Sequence, residues 1–453
     1  MDAVTPVDLP VRVPLATEPM GVLASLRAAR RNVLEIIPEL ATRQPMVSGK
    51  TAIRWHMVMD PGAARRVLKE RLDDYPKSDV TKNILEPAIG QSLFIAEGAH
   101  WRWQRRAAAP VFGTRNVNSL APIMARAAEA SVARLDAQSG RAADLFQEML
   151  ATTFEVIADV TFSEGSSVDR DAVHRAIEEY IAKSARTSLL DVLGVPTWVP
   201  RPSRLFPPQG IKRTRQMADQ AIEARRAQGA KSPPDLLDMM MAGMDPETKR
   251  SMNTEELRDN LLTFIVAGHE TTALTLAWAL YLLAFDEAAQ TRLRAEAQAV
   301  LGGRIAAAGD VPRLTFTEQV IKEALRLYPP AAFLSRTARA ADTLCGREVR
   351  PGDTVMLPVY ALHRNHLLWP DPDRFDPDRF APGTSHDRYA WLPFGDGPRI
   401  CIGASFAMTE ATIILATLVS RFRFERIPGR DPQPVLILTL RPEGGVWLKV
   451  SPA

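Results

Sequence analysis

Along most of the chain apolar residues recur every three to four positions, the spacing that gathers them on one face of a helix. Leu120 to Leu135 and Leu145 to Phe162 follow it, and Ala99 to Ala109 sets Trp101 and Arg105 four residues apart on one helical face. Asn253 and Glu256 give a capping-box start to an apolar stretch that runs to about Ala284. Some thirty residues at 1.5 Å each make a helix of roughly 45 Å, enough to cross a whole domain. Thr315 and Glu318 repeat the capping pattern for another helix, ended by Pro329-Pro330, and Ala404 to Val419 reads as a further apolar helix. Alternation at period two is confined to short stretches. It occurs loosely from Met46 to Asp60, again from Arg336 to Pro358 around a Pro351-Gly-Asp353 turn, and weakly from Val435 to Val450. In the last of these, Pro442-Glu-Gly-Gly445 signals a hairpin. Pro61 opens a short helix over Ala63 to Glu70, and a loop is expected after Pro87. Prolines at 196–208 and at Pro233-Pro234 interrupt two helical stretches, which makes the middle third the least constrained and the expected mobile part. The pattern predicts a mainly α protein with a minor β region, residues 1–453 forming one domain whose first 90 or so carry a small β region.

Composition narrows the class. A hydrophobic fraction of 46% with 24% charged residues is ordinary for a globular chain. A net charge of +3 favours no nucleic-acid partner, and basic runs such as Arg65-Arg66-Val-Leu-Lys69 fall at helical spacings that read as solvated faces. Cys345 and Cys401 form no spacing pattern, which argues against a disulfide framework and for a reducing, cytoplasmic setting. Residues 1–20 hold four prolines and no apolar run, so neither a signal peptide nor a membrane anchor is expected. Leu261 to Phe285 imitates a membrane span, but His269 and Glu270 sit at its centre, where a charge costs about 2.5–3.5 kcal/mol. A helix buried in a large domain explains it better.

Three stretches carry candidate chemistry. Cys401 stands where a loop with Gly395, Gly397 and Gly403 runs into an apolar helix. The positive end of the helix dipole favours thiolate there, Arg399 adds a fixed charge, and the glycines let backbone approach a large flat group. From the residue types alone, a buried free cysteine before a core helix is the alternative. Ala267-Gly-His-Glu-Thr-Thr272 interrupts the long helix with polar residues and a glycine that costs up to about 1 kcal/mol relative to alanine. Either close approach of a cofactor or tight helix packing accounts for Gly268, and Glu270-Thr271 either delivers protons or bonds to backbone. Glu323 and Arg326 fall opposite the apolar face of Val320, Ile321, Ala324, Leu325 and Tyr328, so a helical projection makes them an exposed pair worth about a few tenths of a kcal/mol.

The run Phe394-x-x-Gly397-x-Arg399-x-Cys401-x-Gly403 resembles the heme-binding loop of the cytochrome P-450 family, and the Ala267–Thr272 hexapeptide resembles its oxygen-activation motif. Glu323-x-x-Arg326 and Phe375-x-Pro377-x-Arg379-Phe380 match two more of its motifs in the right order. The resemblance covers the chain from the Trp101 helix onward and is weakest before residue 90 and across 165–250. It implies the cytochrome P-450 fold, with heme b (iron protoporphyrin IX) between the long central helix and the cysteine-loop helix. Cys401 is then the axial ligand of the iron, with Phe394, Gly268 and Gly403 against the cofactor. Trp101, Arg105, Arg336 and Arg399 contact the propionates. Thr271 and Glu270 form the proton relay. Glu323 and Arg326 become a buried structural pair with Arg379 as third member, or Arg374 in its place.

The resemblance further implies a monooxygenase that uses O2 to hydroxylate or epoxidise a small molecule. With no reductase expected on the chain, electrons would come from a separate ferredoxin or flavodoxin and its NAD(P)H reductase. Arg102 and Arg106, with Arg421 and Arg423, are the candidate docking residues. A peroxygenase or peroxide isomerase of the same fold lacks the acid–alcohol pair, and a Cys-ligated heme sensor would sit beside a signalling domain. Motif offsets place Phe94, Thr263, Phe264, Ala267, Ala331, Phe333 and Leu438 on the substrate pocket. They are almost all apolar, so a lipophilic ligand is expected, with no fixed charge for a carboxylate. His363 and His366 lack metal-ligand spacing and read as structural.

Overall fold

Helices far outweigh strands among the described residues, as the three-to-four-residue pattern predicts. The computed structural model describes residues 9–50, 53–162, 175, 176, 179 and 209–453. The prolines at 196–208, in the expected mobile third, lie outside the described residues. In chain order the helices are α1 (Val22–Arg31), α2 (Pro61–Arg65), α3 (Asp79–Ile89), α4 (Gly98–Ala108), α5 (Thr114–Asp136) and α6 (Leu145–Phe162). They continue with α7 (Gln209–Gln228), α8 (Leu236–Ala242), α9 (Thr254–Phe285), α10 (Glu287–Leu301), α11 (Thr315–Leu327) and α12 (Ala404–Arg421). The central helix α9 runs for 32 residues, and its N-terminus carries the expected capping box between Asn253 and Glu256. It packs along α6, while α12 packs on α5. Among the described residues no single helix is long and apolar enough to cross a membrane; α9 and α10 pass only together, across a 115° bend.

The first sheet joins distant parts of the chain. Strands β1 (Met46–Lys50) and β2 (Arg54–Val58) form a hairpin with Met46 opposite Val58. Strand β2 then pairs in parallel with β7 (Thr354–Leu357), which pairs antiparallel with β4 (Leu334–Thr337), and between β4 and β7 the chain forms a separate short hairpin of β5 (Asp342–Leu344) with β6 (Arg347–Val349). Trp55, Met57, Thr354 and Met356 alternate onto the face that lines the cavity described below. One apolar core runs from Val13 to Val450, with Trp278 of α9 stacked on Tyr328 at 4.0 Å between ring centroids.

Three local expectations are corrected. Pro87 lies inside α3, where it gives up the bond to Asn83 O, and the loop begins only at Gly90, whose N–H donates to Glu86 O at 2.9 Å. Thr315 and Glu318 form no capping box. Leu314 precedes α11 without a side-chain cap, and Glu296 of α10 accepts from Phe316 N and Thr317 N at 2.7 and 2.9 Å. A carboxylate from a neighbouring helix thus does the capping, which no local pattern reveals. The hairpin near the C-terminus is β9 (Gln433–Leu436) with β10 (Leu440–Glu443), turning at residues 437–439. Gly444 and Gly445 instead lead to β11 (Trp447–Pro452), which pairs with β3 (Ala142–Asp144) and β8 (Phe422–Arg426).

Candidate active site

Cys401 is fixed by the backbone on either side of it. Its N–H donates to Phe394 O at 2.9 Å, closing the loop, and Gly403 leads directly into α12. Gly395 and Gly397 have φ of +64° and +73°, a region that favours glycine. At Gly397 a Cβ would stand 2.3 Å from Leu68 O, so this glycine is required by packing of the loop on the chain behind it. The sulfur is open to a cavity yet walled in by protein. Burial pushes the Cys401 thiol up, against the pull of the Gly403 N–H and of Arg105. Desolvation thus outweighs the pull of the helix terminus on this sulfur. The cation facing the sulfur is Arg105, whereas Arg399 pairs with Glu97 and lies 4.3 Å over the Trp101 ring.

Behind the loop stands the Glu323–Arg326 pair, and both side chains are wholly buried. Arg326 Nε and Nη2 each meet the carboxylate at 2.7 Å, and its remaining N–H groups donate to His363 O, Pro372 O and Arg374 O. Arg379 Nε stands 3.5 Å from Glu323 Oε1, whereas Arg374 contributes only its carbonyl. The exposed pair drawn from the helical projection is corrected. The meander over 369–380 covers the polar side of α11, so the helix is buried nearly all round. His363 links this scaffold to the loop, with Nδ1 on Arg326 O at 3.1 Å and Nε2 accepting from Leu392 N at 2.8 Å. Burial and Arg326 hold its imidazole neutral, with a pKa lowered to about 3. His366 is exposed, and among the described residues no cluster of His, Cys, Asp or Glu is placed to hold a metal ion.

The cofactor, catalytic and pocket residues singled out above all line one cavity of about 1320 Å³. Ligand pockets usually measure about 300–1,000 Å³, so this one has room for a flat cofactor and a second molecule. Ala267, in the middle of the otherwise buried α9, is exposed to it. Thr271 Oγ1 donates to Ala267 O at 2.7 Å. Glu270, 1% exposed, accepts from Thr439 Oγ1 at 2.7 Å and from Arg441 Nε. Gly268 borders the cavity, but the Cβ it lacks would meet Ile157 Cδ1 at 3.2 Å, so close packing of α9 on α6 accounts for the glycine. Sequence reasoning missed Thr439 and Arg441, which lie in a weakly patterned tail, and Lys77, which no motif marks. The Lys77 ammonium lies 3.5 Å over the Phe94 ring, where burial and the nearby Arg336 and Arg399 push its pKa well down. The cavity therefore holds an amine beyond the expected arginines, one whose charged form burial disfavours until an anion pairs with it.

The motif spacing and this geometry agree with a wider comparison. The family model described as Cytochrome P450 matches residues 44–450. The chain belongs to the cytochrome P450 family. It is 36% identical over 372 residues to cyclooctatin synthase of Streptomyces melanosporofaciens, covering 81% of each chain. To cyclooctat-9-en-7-ol 5-monooxygenase of the same organism it is 36% identical over 75% of this chain and 74% of that one. Putative cytochrome P450 132 of Mycobacterium tuberculosis is 32% identical over 87% of both. The crystal structure of the cytochrome P450DA heme domain matches at a TM-score of 0.78 and 26% identity, over 90% of both chains. The protein is a cytochrome P450 monooxygenase, and the family implies heme.

The cavity fits that group. Arg336 is buried, its Nε has no acceptor, and burial with repulsion from Arg399 lowers its pKa to about 10. Arg105 is likewise lowered by burial. A guanidinium donor left unpaired in a closed space calls for an anion, and the two propionates of heme are such anions.

Proposed function

We propose that this cytochrome P450 oxygenates an alicyclic lipophile of the terpenoid class, with Cys401 as the proximal ligand and Thr271 and Glu270 as the proton path. The observation that carries the reading is a single cavity that the Cys401 sulfur and the Thr271 hydroxyl share with largely aliphatic walls. Ile84, Leu85 and Ile89 of α3, Ile157 and Val160 of α6, and Leu438 supply branched aliphatic surface. Two relatives support the class, one of them named for cyclooctat-9-en-7-ol, an alicyclic alkenol by its name. Residues 1–453 are read as one heme domain, in keeping with the continuous core.

Heme, when bound, supplies dioxygen activation and the insertion of one oxygen atom into the substrate. Everything else falls to the protein. With heme bound, Cys401 Sγ would hold the iron, Arg105, Arg336 and Arg399, joined by Lys77, would neutralise the propionates, and the Trp101 indole N–H would be a further donor to them. Phe94, Thr263, Phe264, Ala267, Ala331, Phe333 and Leu438 exclude water and orient the substrate. Thr271 Oγ1 is the protein atom from which a proton enters the cavity. Glu270 Oε1, held by Thr439 and Arg441, refills it from the outer side. A ferredoxin or flavodoxin with its NAD(P)H reductase is the proposed electron source.

The test is a spectral titration of the ferric protein with cyclic terpenoids, steroids, fatty acids and planar aromatics, followed by NAD(P)H turnover through a surrogate ferredoxin chain. Cyclic terpenoids are expected to bind tightest and to be oxygenated. Tightest binding and turnover of a fatty acid, with its carboxylate on Lys77, would replace the terpenoid reading.

A further inference from the structure

We propose that Asp259 and Asn260 of α9, with Gln104 of α4 and Gly90, form a staple outside the cavity that sets the position of Phe94 and so the size of ligand the site accepts. Phe94 hangs into the cavity from the loop between α3 and α4 and is 39% exposed, so its ring is only partly enclosed, with Lys77 Nζ 3.5 Å over it. Its backbone, by contrast, is held closely. Gln91 N donates to Asp259 Oδ2 at 3.0 Å, and Leu93 N donates to Asn260 Oδ1 at 3.0 Å. Gln104 Nε2 donates to Gln91 O at 3.1 Å, and Asn260 Nδ2 donates to Gln104 Oε1 at 2.8 Å, which closes the network. The loop's own turn, with Ile95 N and Ala96 N on Ser92 O, takes up only donors that follow Phe94. The two N–H groups ahead of Phe94 therefore depend on α9 for their acceptors.

Burial makes the staple stiff. Asn260 and Gln104 are 0% exposed and Asp259 4% exposed, so a broken bond there leaves a polar group with no water to take it. Gly90 has φ of +57°, and a Cβ on it would stand 1.8 Å from Asp259 Oδ2, so the carboxylate fills the space a side chain would need. Thr263 Oγ1 donates to Asp259 O at 2.7 Å, which continues the network one turn along α9 to a residue of the cavity wall. None of Gly90, Gln91, Gln104, Asp259 and Asn260 borders the cavity itself. They are positioning residues and touch neither substrate nor cofactor.

The inference rests on the proposed place of Phe94 in the substrate pocket, and the experiment separates the two. Holoprotein is titrated with imidazole and with 4-phenylimidazole, nitrogen ligands of different bulk, and the ratio of their dissociation constants is read from the absorption spectrum. Phe94→Ala is expected to shift the ratio toward the bulky ligand. Asn260→Ala should shift it the same way by roughly two- to tenfold, the range one lost hydrogen bond covers. In the Phe94→Ala background Asn260→Ala should add nothing, because its effect passes through the ring. Asp259→Asn, which keeps an oxygen for Gln91 N, should behave as wild type. If Asn260→Ala fails to load heme, Gly90→Ala decides in its place, since its methyl displaces the Asp259 carboxylate. An unchanged ratio in a folded staple variant, or an equal shift with and without Phe94, overturns the staple and leaves the pocket reading standing. No effect of Phe94→Ala overturns the pocket reading for that residue and the staple with it.

Discussion

Two buried carboxylates meet arginine on opposite sides of the proposed heme site, and they are fastened differently. On the proximal side Glu323 takes two N–H groups of Arg326, with both side chains sealed from water, along with the N–H of Asp376 and the near charge of Arg379. Arg326 in turn donates to the carbonyls of His363, Pro372 and Arg374, in the chain ahead of the cysteine loop. On the distal side Glu270 leans on Thr439 and on Arg441, whose side chain is 16% exposed, and it borders the open cavity itself. A sealed pair permits one arrangement, which suits a scaffold. A pair with one side toward solvent and the other toward a cavity can pass a proton between them. The same two residue types thus serve rigidity in one place and transfer in the other, and burial of the arginine separates the cases.

The strongest way to break this contrast is at the ligand itself. Cys401→Ser is expected to abolish the far-red-shifted Soret band of the reduced carbon monoxide complex, whereas Cys345→Ser keeps it. Loss of the band in Cys345→Ser alone would move the ligand elsewhere. Next in size is Glu323→Ala, which strands two buried guanidinium groups at a cost of about 3–5 kcal/mol. Little or no holoprotein should be recovered. Normal heme loading, measured by absorbance per mole of protein, would show that the pair is not the support of the loop.

The distal counterpart should behave in the opposite way. Thr271→Ala is expected to fold, load heme and bind substrate, yet divert electrons to hydrogen peroxide. The measure is the ratio of product formed to NAD(P)H consumed, with peroxide assayed in parallel. An unchanged ratio would remove Thr271 from the proton path, and a failure to load heme would erase the proximal–distal distinction.

The same contrast explains what was legible in the sequence. Proximal parts are written in short local patterns, because a loop that must present one sulfur at a helix start needs particular glycines at particular offsets. The central helix was equally plain, since its length and its Asn253–Glu256 cap are local. Where a function is shared between distant segments, the pattern fails. Glu296 caps α11 from another helix, Arg441 reaches Glu270 across 171 residues, and Lys77 enters the cavity beside Arg336 from the far side of the first sheet. The Glu323–Arg326 projection failed for a related reason: a helix buried on all sides has no polar face, and only the covering meander reveals that. Asp259 and Asn260 are a last instance, since their acceptor roles depend on a loop some 170 residues earlier.

The smallest expected effect concerns the proximal surface, where the proposed electron donor would dock. Lys69, Arg71, Arg102, Arg105 and Arg106 border a groove beside Trp101 and Pro398, but Glu70, Asp73 and Asp74 border it too. Five cations against three carboxylates leave a modest positive field, and Arg102 is already paired with Asp73 at 2.8 Å. Arg106 is tied at 2.7 Å to the fully buried Asp245, so changing it would unsettle the fold as well as the surface. Arg421 donates to Gly303 O and Arg423 pairs with Glu287, which places them in contacts of their own. Arg102→Glu alone is therefore the clean probe. Steering by such a patch weakens as salt rises, because the Debye length falls from about 30 Å at 0.01 M to about 3 Å at 1 M. Stopped-flow reduction by an acidic ferredoxin should slow by about two- to fivefold at low salt and converge with wild type at high salt, a rim-charge effect on encounter rather than on the bound state. Equal rates at low salt would take this helix out of the docking surface and leave the proximal side with its scaffold role alone.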